Sequence, residues 1–422
     1  MNKIIIIATS LMISVLASAK SKVPQSHNYV LTPTGQKVDN PSNTKMSYTD
    51  NGDGTITDNI TGLMWQKIPV SKNMTWKEAK KYCAKLKLAG YKDWRMPNIK
   101  ELYSITDFSE GWPYINTDVF SLVQDQISKD EQYWSSTIYV GEAASQAPGR
   151  PNMKGNGAMK GASSQNSRGG MQGPPSGGMG GGMQGPPSGG MGGGMQGPPS
   201  GQMGNRMSSS QSQDNTQAFG VNFATGHIKA YPANAKGPIG GKYIRAVRGT
   251  EYGVNKFQDN GDGTITDNAT GLMWAKDDGG IRLDWKGAQE YANKSKLGGY
   301  DDWRLPDVKE LQSIVNYSYS PSAKDEEQMG AAIDKIFSCT LIMNEAGKDD
   351  YGYYWTNTSA KRNKDGKLIY AWYVAFGRAV NDKGIDTHGA GAVRFDAKSK
   401  TVSKEQGGER YYNLVRLVRN AK

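Results

Sequence analysis

Histidine and cysteine are both scarce: three of the first and two of the second in 422 residues. Two cysteines, Cys83 and Cys339, cannot form a disulfide framework, so the chain must fold by its hydrophobic cores. In an exported chain the two either pair with each other or stay as separate buried thiols. With three histidines there is no zinc motif and no Ser-His-Asp spacing, and no phosphate loop occurs either. The expectation is a protein that is not an enzyme and carries no cofactor and no bound metal.

Long apolar runs are also missing. The stretch from Ile4 to Val15 is too short to span a membrane, and nothing later is longer. It follows Lys3 and precedes Ala17-Ser18-Ala19, the pattern of a cleaved secretory signal peptide over residues 1–19. No cysteine follows that cleavage point to carry a lipid. The mature chain is expected in the periplasm, on the cell surface or outside the cell.

Acidic residues are outnumbered, 40 to 51, for a formal net charge of +11. Such a balance attracts polyanions: acidic polysaccharide, nucleic acid or an anionic membrane. No dense Lys/Arg run concentrates it, which fits an evenly solvated surface as well. Nucleic acid is not an expected partner.

What the chain does have is a repeat. The residues from Asp50 to Trp65 recur from Asp259 to Trp274 with one change, Ile60 against Ala269. The register continues: Trp76 matches Trp285, Asp93-Trp94-Arg95 matches Asp302-Trp303-Arg304, and Glu101-Leu102 matches Glu310-Leu311. The copies end alike, at Ile244–Arg248 and Val415–Arg419. A period of about 200 residues means two domains rather than a solenoid. The boundaries read as a linker over 20–45, a first domain over 46–250 and a second over 251–422. Within the first, residues 141–217 turn to Gly, Pro, Ser, Gln and Met, with a unit starting at Gln172 repeated at Gln184. That composition predicts a disordered insert. Strict Gly-X-Y spacing fails there, which excludes a collagen helix.

Asn51-Gly52 and Asp53-Gly54 are turn dipeptides, and with Thr55–Thr57 and Leu63–Trp65 they predict a hairpin. Thr75 with Glu78 predicts a capped helix carrying Ala79, Tyr82, Cys83 and Leu86 on one stripe and ending at Gly90. Asp284 opens its counterpart. Asn98 with Glu101, and Asp307 with Glu310, predict a second, shorter helix in each copy. Residues 371–376 and 412–419 read as strands, with Arg416 buried on the face of Leu414 and Val418. A hairpin, two helices and several strands indicate an α+β fold.

At Thr-Gly-Leu-Met-Trp, the Trp-x-x-Ala-x-x-Tyr helix, Asp-Trp-Arg-Leu-Pro, Tyr-Trp-Ser-Ser-Thr and the final Val-Arg, the sequence resembles the Lcl C-terminal domain family, named for the end of a Legionella collagen-like adhesin. Both copies carry the pattern. The resemblance implies two C-type-lectin-like domains, each with two helices and a small, mostly antiparallel sheet. It also implies export and, for the adhesin, binding of sulfated polysaccharide through a basic surface. Family members often pair a cysteine of the first helix with one in the last strand. Here Cys83 faces Ala246, and the second copy has Ala292 and Leu417, so neither copy can form that bridge.

The acids from Asp50 to Asp58 lack calcium-loop spacing and read as Asx-turns. The repeated tryptophans Trp65, Trp94, Trp274 and Trp303 read as core. Asp93 with Arg95, and Asp302 with Arg304, read as structural ion pairs or backbone clamps. A Gly-rich segment peculiar to the second copy, from Asp386 to Asp396, is the expected place for a ligand. Arg378, Asp386, His388, Arg394 and Asp396 are its candidate contacts, the arginines for an anion. The methionines of the insert, Met171 to Met207, are soft ligands for Cu(I) or a sink for oxidants. Two functions follow. The first is a non-enzymatic binding protein for acidic or sulfated polysaccharide or a surface protein. The second is a Met-rich Cu(I) or redox buffer.

Overall fold

A computed structural model describes residues 46–109, 111–123, 131–141, 216–235, 241–360, 368–400 and 410–421, with the backbone of three short earlier strands. The predicted signal peptide and nearly all of the predicted insert lie outside the described residues. The chain divides into two units, residues 1–147 with 214–422, and residues 148–213. Both copies of the repeat fall within the first.

The early strands are β1 (Ser21–Lys22), β2 (Tyr29–Leu31) and β3 (Lys37–Asp39). The first copy then runs β4 (Tyr48–Asp50), β5 (Thr55–Asp58), β6 (Met64–Gln66), α1 (Trp76–Lys85), α2 (Ile99–Ser104), β7 (Gln132–Tyr139), β8 (Gln217–Asn222), β9 (His227–Pro232) and β10 (Val247–Arg248). The second runs β11 (Phe257–Asp259), β12 (Thr264–Asp267), β13 (Leu272–Ala275), α3 (Trp285–Lys294), α4 (Val308–Ser313), β14 (Leu341–Met343), β15 (Asp349–Tyr351), β16 (Tyr353–Ala360), β17 (Tyr370–Ala375), β18 (Val393–Ala397) and β19 (Val418–Asn420). The fold is α+β, with antiparallel sheets throughout the described residues.

The repeated hairpin forms for local reasons. The Asp50 carboxylate accepts from the Gly52 amide at 3.0 Å, and Asp53 accepts from the Thr55 amide at 3.1 Å. Asp259 and Asp262 do the same in the second copy. These are Asx-turns, and Gly52 and Gly54 supply the positive φ they need. The helix starts are as the sequence predicts. Thr75 with Glu78, Asn98 with Glu101, and Asp307 with Glu310 form reciprocal capping boxes, and Asp284 caps α3.

Two boundaries differ from expectation. Helix α1 stops at Lys85, because Leu86 is extended and Leu88 bridges Tyr91 across a turn closed by Gly90. The Leu88 carbonyl also accepts from the Trp94 indole at 3.2 Å, so the last residues before Gly90 serve that ring instead of another helical turn. The final strand is only Val418–Asn420. Before it the chain bends around Arg416, which is fully buried and donates to the carbonyls of Ala275, Lys276 and Ser338.

The ion pairs are also regrouped. Arg95 holds Glu101 through two 2.6 Å bonds and Arg304 holds Glu310 at 2.7 Å, while Asp93 pairs with Arg248 and Asp302 with Arg419. The Trp-Arg-x-Pro turn is thereby fastened both to the following helix and to the last strand. Within each turn the Asp and the Arg, two residues apart, are each committed to a different partner.

Each copy closes on itself through a small sheet. Its order is β1-β4-β5-β6-β10 in the first copy and β11-β12-β13-β19 in the second. The larger sheet belongs to both. Its order is β16-β17-β18-β9-β8-β7, the two copies meeting at its centre where Val393 faces Ile228. Read from either edge, the equivalent strands follow in the same order, which describes an approximate two-fold axis. One core runs across the joint. Trp372 of the second copy is 0% exposed and packs its ring 5.1 Å from Phe108 and 5.4 Å from Tyr114 of the first. Helices α2 and α4 are exchanged in the same way: the Lys100 ammonium donates to the Ser313 carbonyl at 2.6 Å, and Lys309 donates to that of Ser104 at 2.7 Å. Each lysine thus sits at the negative end of the other copy's helix.

The cysteines do not pair. Cys83 is buried on α1, and burial pushes its thiol up to about 12. Cys339 is half-buried, 3.4 Å from an Arg416 nitrogen. A thiol reagent at pH 8 is therefore expected to leave Cys83 unmodified in the native protein and to titrate both cysteines after denaturation. A fully oxidised denatured protein would contradict this.

Candidate functional site

The Gly-rich segment of the second copy lies against the first. The Tyr139 hydroxyl donates to Asp386 Oδ2 at 2.8 Å, and the Ala230 amide donates to the His388 carbonyl at 2.9 Å. The other Asp386 oxygen accepts from the Gly389 amide at 2.8 Å, and Gly389, at φ +85°, packs closely on Ala230 and Tyr139. His388 Nδ1 lies 2.7 Å from the Thr387 hydroxyl, and its Nε2 meets an Arg394 nitrogen. Burial first, then the charges of Arg394, Lys229 and His227, hold His388 well below the usual imidazole range, so it is neutral.

The structure thus brings Asp386, His388 and Arg394 together inside the joint. Asp396 is buried on β18, where loss of solvent raises its carboxyl to about 7 and the Asn413 amide lies 3.5 Å away. Arg378 is engaged apart from them: it donates to the carbonyls of Pro321 at 2.8 Å and Asp349 at 3.0 Å and lies 3.5 Å from Asp350. All five residues are held by partners within the protein.

A second region has the opposite character. Helix α1 and the turns beside it border an open groove of about 450 Å³, lined by Lys72, Lys81, Lys85 and Lys87 with Met74, Tyr82 and Leu86. All four lysines are exposed, and among the described residues none pairs with a carboxylate. Glu78 lies in the same groove, but its carboxylate is committed to the Thr75 amide at 2.8 Å and hydroxyl at 2.9 Å. Tyr82 and Leu86 are half-buried and give the groove an apolar floor.

The equivalent face of the second copy is neutralised. Lys286 and Lys294 flank Glu290 on α3, each at 3.9 Å, and Lys296 lies 3.4 Å from Asp301. Glu290 stands where the first copy has Lys81. Reading for a dense basic run misses this groove because its lysines are spread along the chain. The signal is helical spacing: Lys77, Lys81 and Lys85 recur every four residues, one turn apart.

Among the described residues no helix is long and apolar enough to cross a membrane, and no cluster of His, Cys, Asp and Glu has the makings of a metal site. No curated protein and no solved structure matches the chain. Residues 54–168 and 263–419 each match the Lcl C-terminal domain, one match in each copy of the repeat. These two segments make up more than half of the sequence, and the chain belongs to the Lcl C-terminal domain family, with two copies of that domain.

Proposed function

We propose that the protein is an exported, non-enzymatic, adhesion-type binding protein that holds polyanionic polysaccharide in the lysine groove of its first copy. The observation that carries this reading is the set of four exposed lysines around an apolar floor, without a carboxylate partner among the described residues and matched in the second copy by a face whose lysines are answered by acids. Exposed ammonium groups a helical turn apart offer repeated contacts to sulfate or carboxylate groups along a chain. Tyr82 and Leu86 offer apolar surface to the faces of sugar rings. Kinship with an adhesin-type domain supports the same class of function. The order hairpin, two helices, antiparallel sheet, with the last strand of each copy paired to the second strand of its hairpin, supports a C-type-lectin-like reading of each copy.

Such binding is largely electrostatic and weakens with salt. Wild-type protein is expected to be retained on heparin or dextran sulfate and released by sodium chloride. Lys81→Glu with Lys85→Glu should elute at clearly lower salt. Lys286→Glu with Lys294→Glu, the equivalent pair in the second copy, should elute close to wild type. Equal retention of all three proteins, or none by the wild type, would refute the groove; capture of a surface protein with no affinity for polyanions would point to a protein partner instead.

A further inference from the structure

A cavity of about 260 Å³ lies on the two-fold joint, between α2 and α4 and beneath the two repeated hairpins. Its halves come from equivalent residues, yet they are not equivalent in chemistry. Lys100 is fully satisfied: it donates to the Gly253 carbonyl, the Asn255 side chain and the Ser313 carbonyl. Among the described residues Lys309, its counterpart, makes one hydrogen bond, to the Ser104 carbonyl, of the three it can donate. The sequence explains the difference, because Met46 occupies the place of Asn255 in the first copy. Tyr48 also lines the cavity, where the second copy has Phe257. It is 3% exposed, and among the described residues its hydroxyl makes no hydrogen bond. Asp58, equally buried, brings a carboxylate to the same wall.

Both donors open on the cavity, where a ligand oxygen can accept from them in place of water. The charge balance selects its class. Lys309 already feels Asp58, Asp107 and Asp307, so a further anion would be repelled by the acids. A hydroxyl group suits all three positions, accepting from Lys309 and Tyr48 and donating to Asp58. Tyr103 and Tyr252 add aromatic wall. The volume falls just below the roughly 300–1,000 Å³ of sites for drug-sized ligands, which fits a single ring. We propose that this cavity binds a small neutral polyhydroxylated molecule the size of one hexose, independently of the lysine groove.

The test is calorimetric titration of the mature chain with glucose, galactose, mannose and glucuronate, repeated on Lys309→Met and Tyr48→Phe. At least one neutral hexose is expected to bind, and each substitution to weaken it about tenfold, with heparin retention unchanged. Tyr48→Phe keeps the ring and decides the matter alone if Lys309→Met does not fold. Absence of binding by every neutral hexose, equal binding of glucuronate, or wild-type affinity in Tyr48→Phe would overturn the assignment.

Discussion

Replacing Trp372 with alanine is expected to lower the unfolding free energy by about 3–5 kcal/mol and to shift the unfolding of both copies together. The ring is wholly buried in β17 of the second copy, and its neighbours are drawn from both. Phe395 lies at 5.4 Å on the next strand, while Phe108, Tyr114 and His227 belong to the first copy. Gly226, in the turn before β9, sits so close that even a Cβ there would meet the indole at 2.8 Å. A cavity at this point therefore loosens the shared sheet on both sides of its centre. Guanidinium unfolding followed by tryptophan fluorescence checks this. One transition, moved to lower denaturant, is expected. Two transitions, with only one moved, would show that the copies fold independently.

Arg416→Met is expected to cost at least about 3 kcal/mol, since it strands buried carbonyls that each carry a desolvation penalty of roughly 1–3 kcal/mol. The guanidinium is 0% exposed and bonds the Ala275, Lys276 and Ser338 carbonyls at 2.9, 2.7 and 2.6 Å. These residues come from two separate stretches of the second copy, so the side chain fastens the last strand to the hairpin and to the loop near Cys339. Arg245 repeats the arrangement in the first copy, bonding the Gln66 and Lys67 carbonyls and that of Ser121 at 2.6 Å. Arg245→Met is expected to cost a similar amount. Methionine fills much of the volume but supplies no donor. A loss below 1 kcal/mol in either variant, measured by denaturant midpoint at constant slope, would contradict the role given to these residues.

Some of this is legible in the sequence, and the parts that are have local causes. Asp50 and Asp53 fold their own turns, and Thr75, Asn98 and Asp307 cap their own helices, so short motifs suffice. Arg416 announces its burial by alternating with Leu414 and Val418. What depends on contacts between the copies is not legible. Nothing in Val393 or Ile228 says that β18 and β9 will pair, because a joint between two copies leaves no periodic mark on either. The same limit hides the setting of Asp386 and His388. A Gly-rich polar segment reads alike whether it faces solvent or, as here, packs against Tyr139 and Ala230 of the other copy. The lysine groove is an intermediate case, since its helical spacing is present in the sequence but becomes a surface only once Ala79 and Cys83 fix which side of α1 is buried.

Lysine acetylation footprinting with and without heparin reads the groove directly, residue by residue. Mass spectrometry should find Lys72, Lys81, Lys85 and Lys87 protected by the polysaccharide at low salt and relabelled at high salt, with Lys286 and Lys294 labelled equally in both states. Protection confined to the second copy, or no difference at the four groove lysines, would contradict polyanion binding by the first.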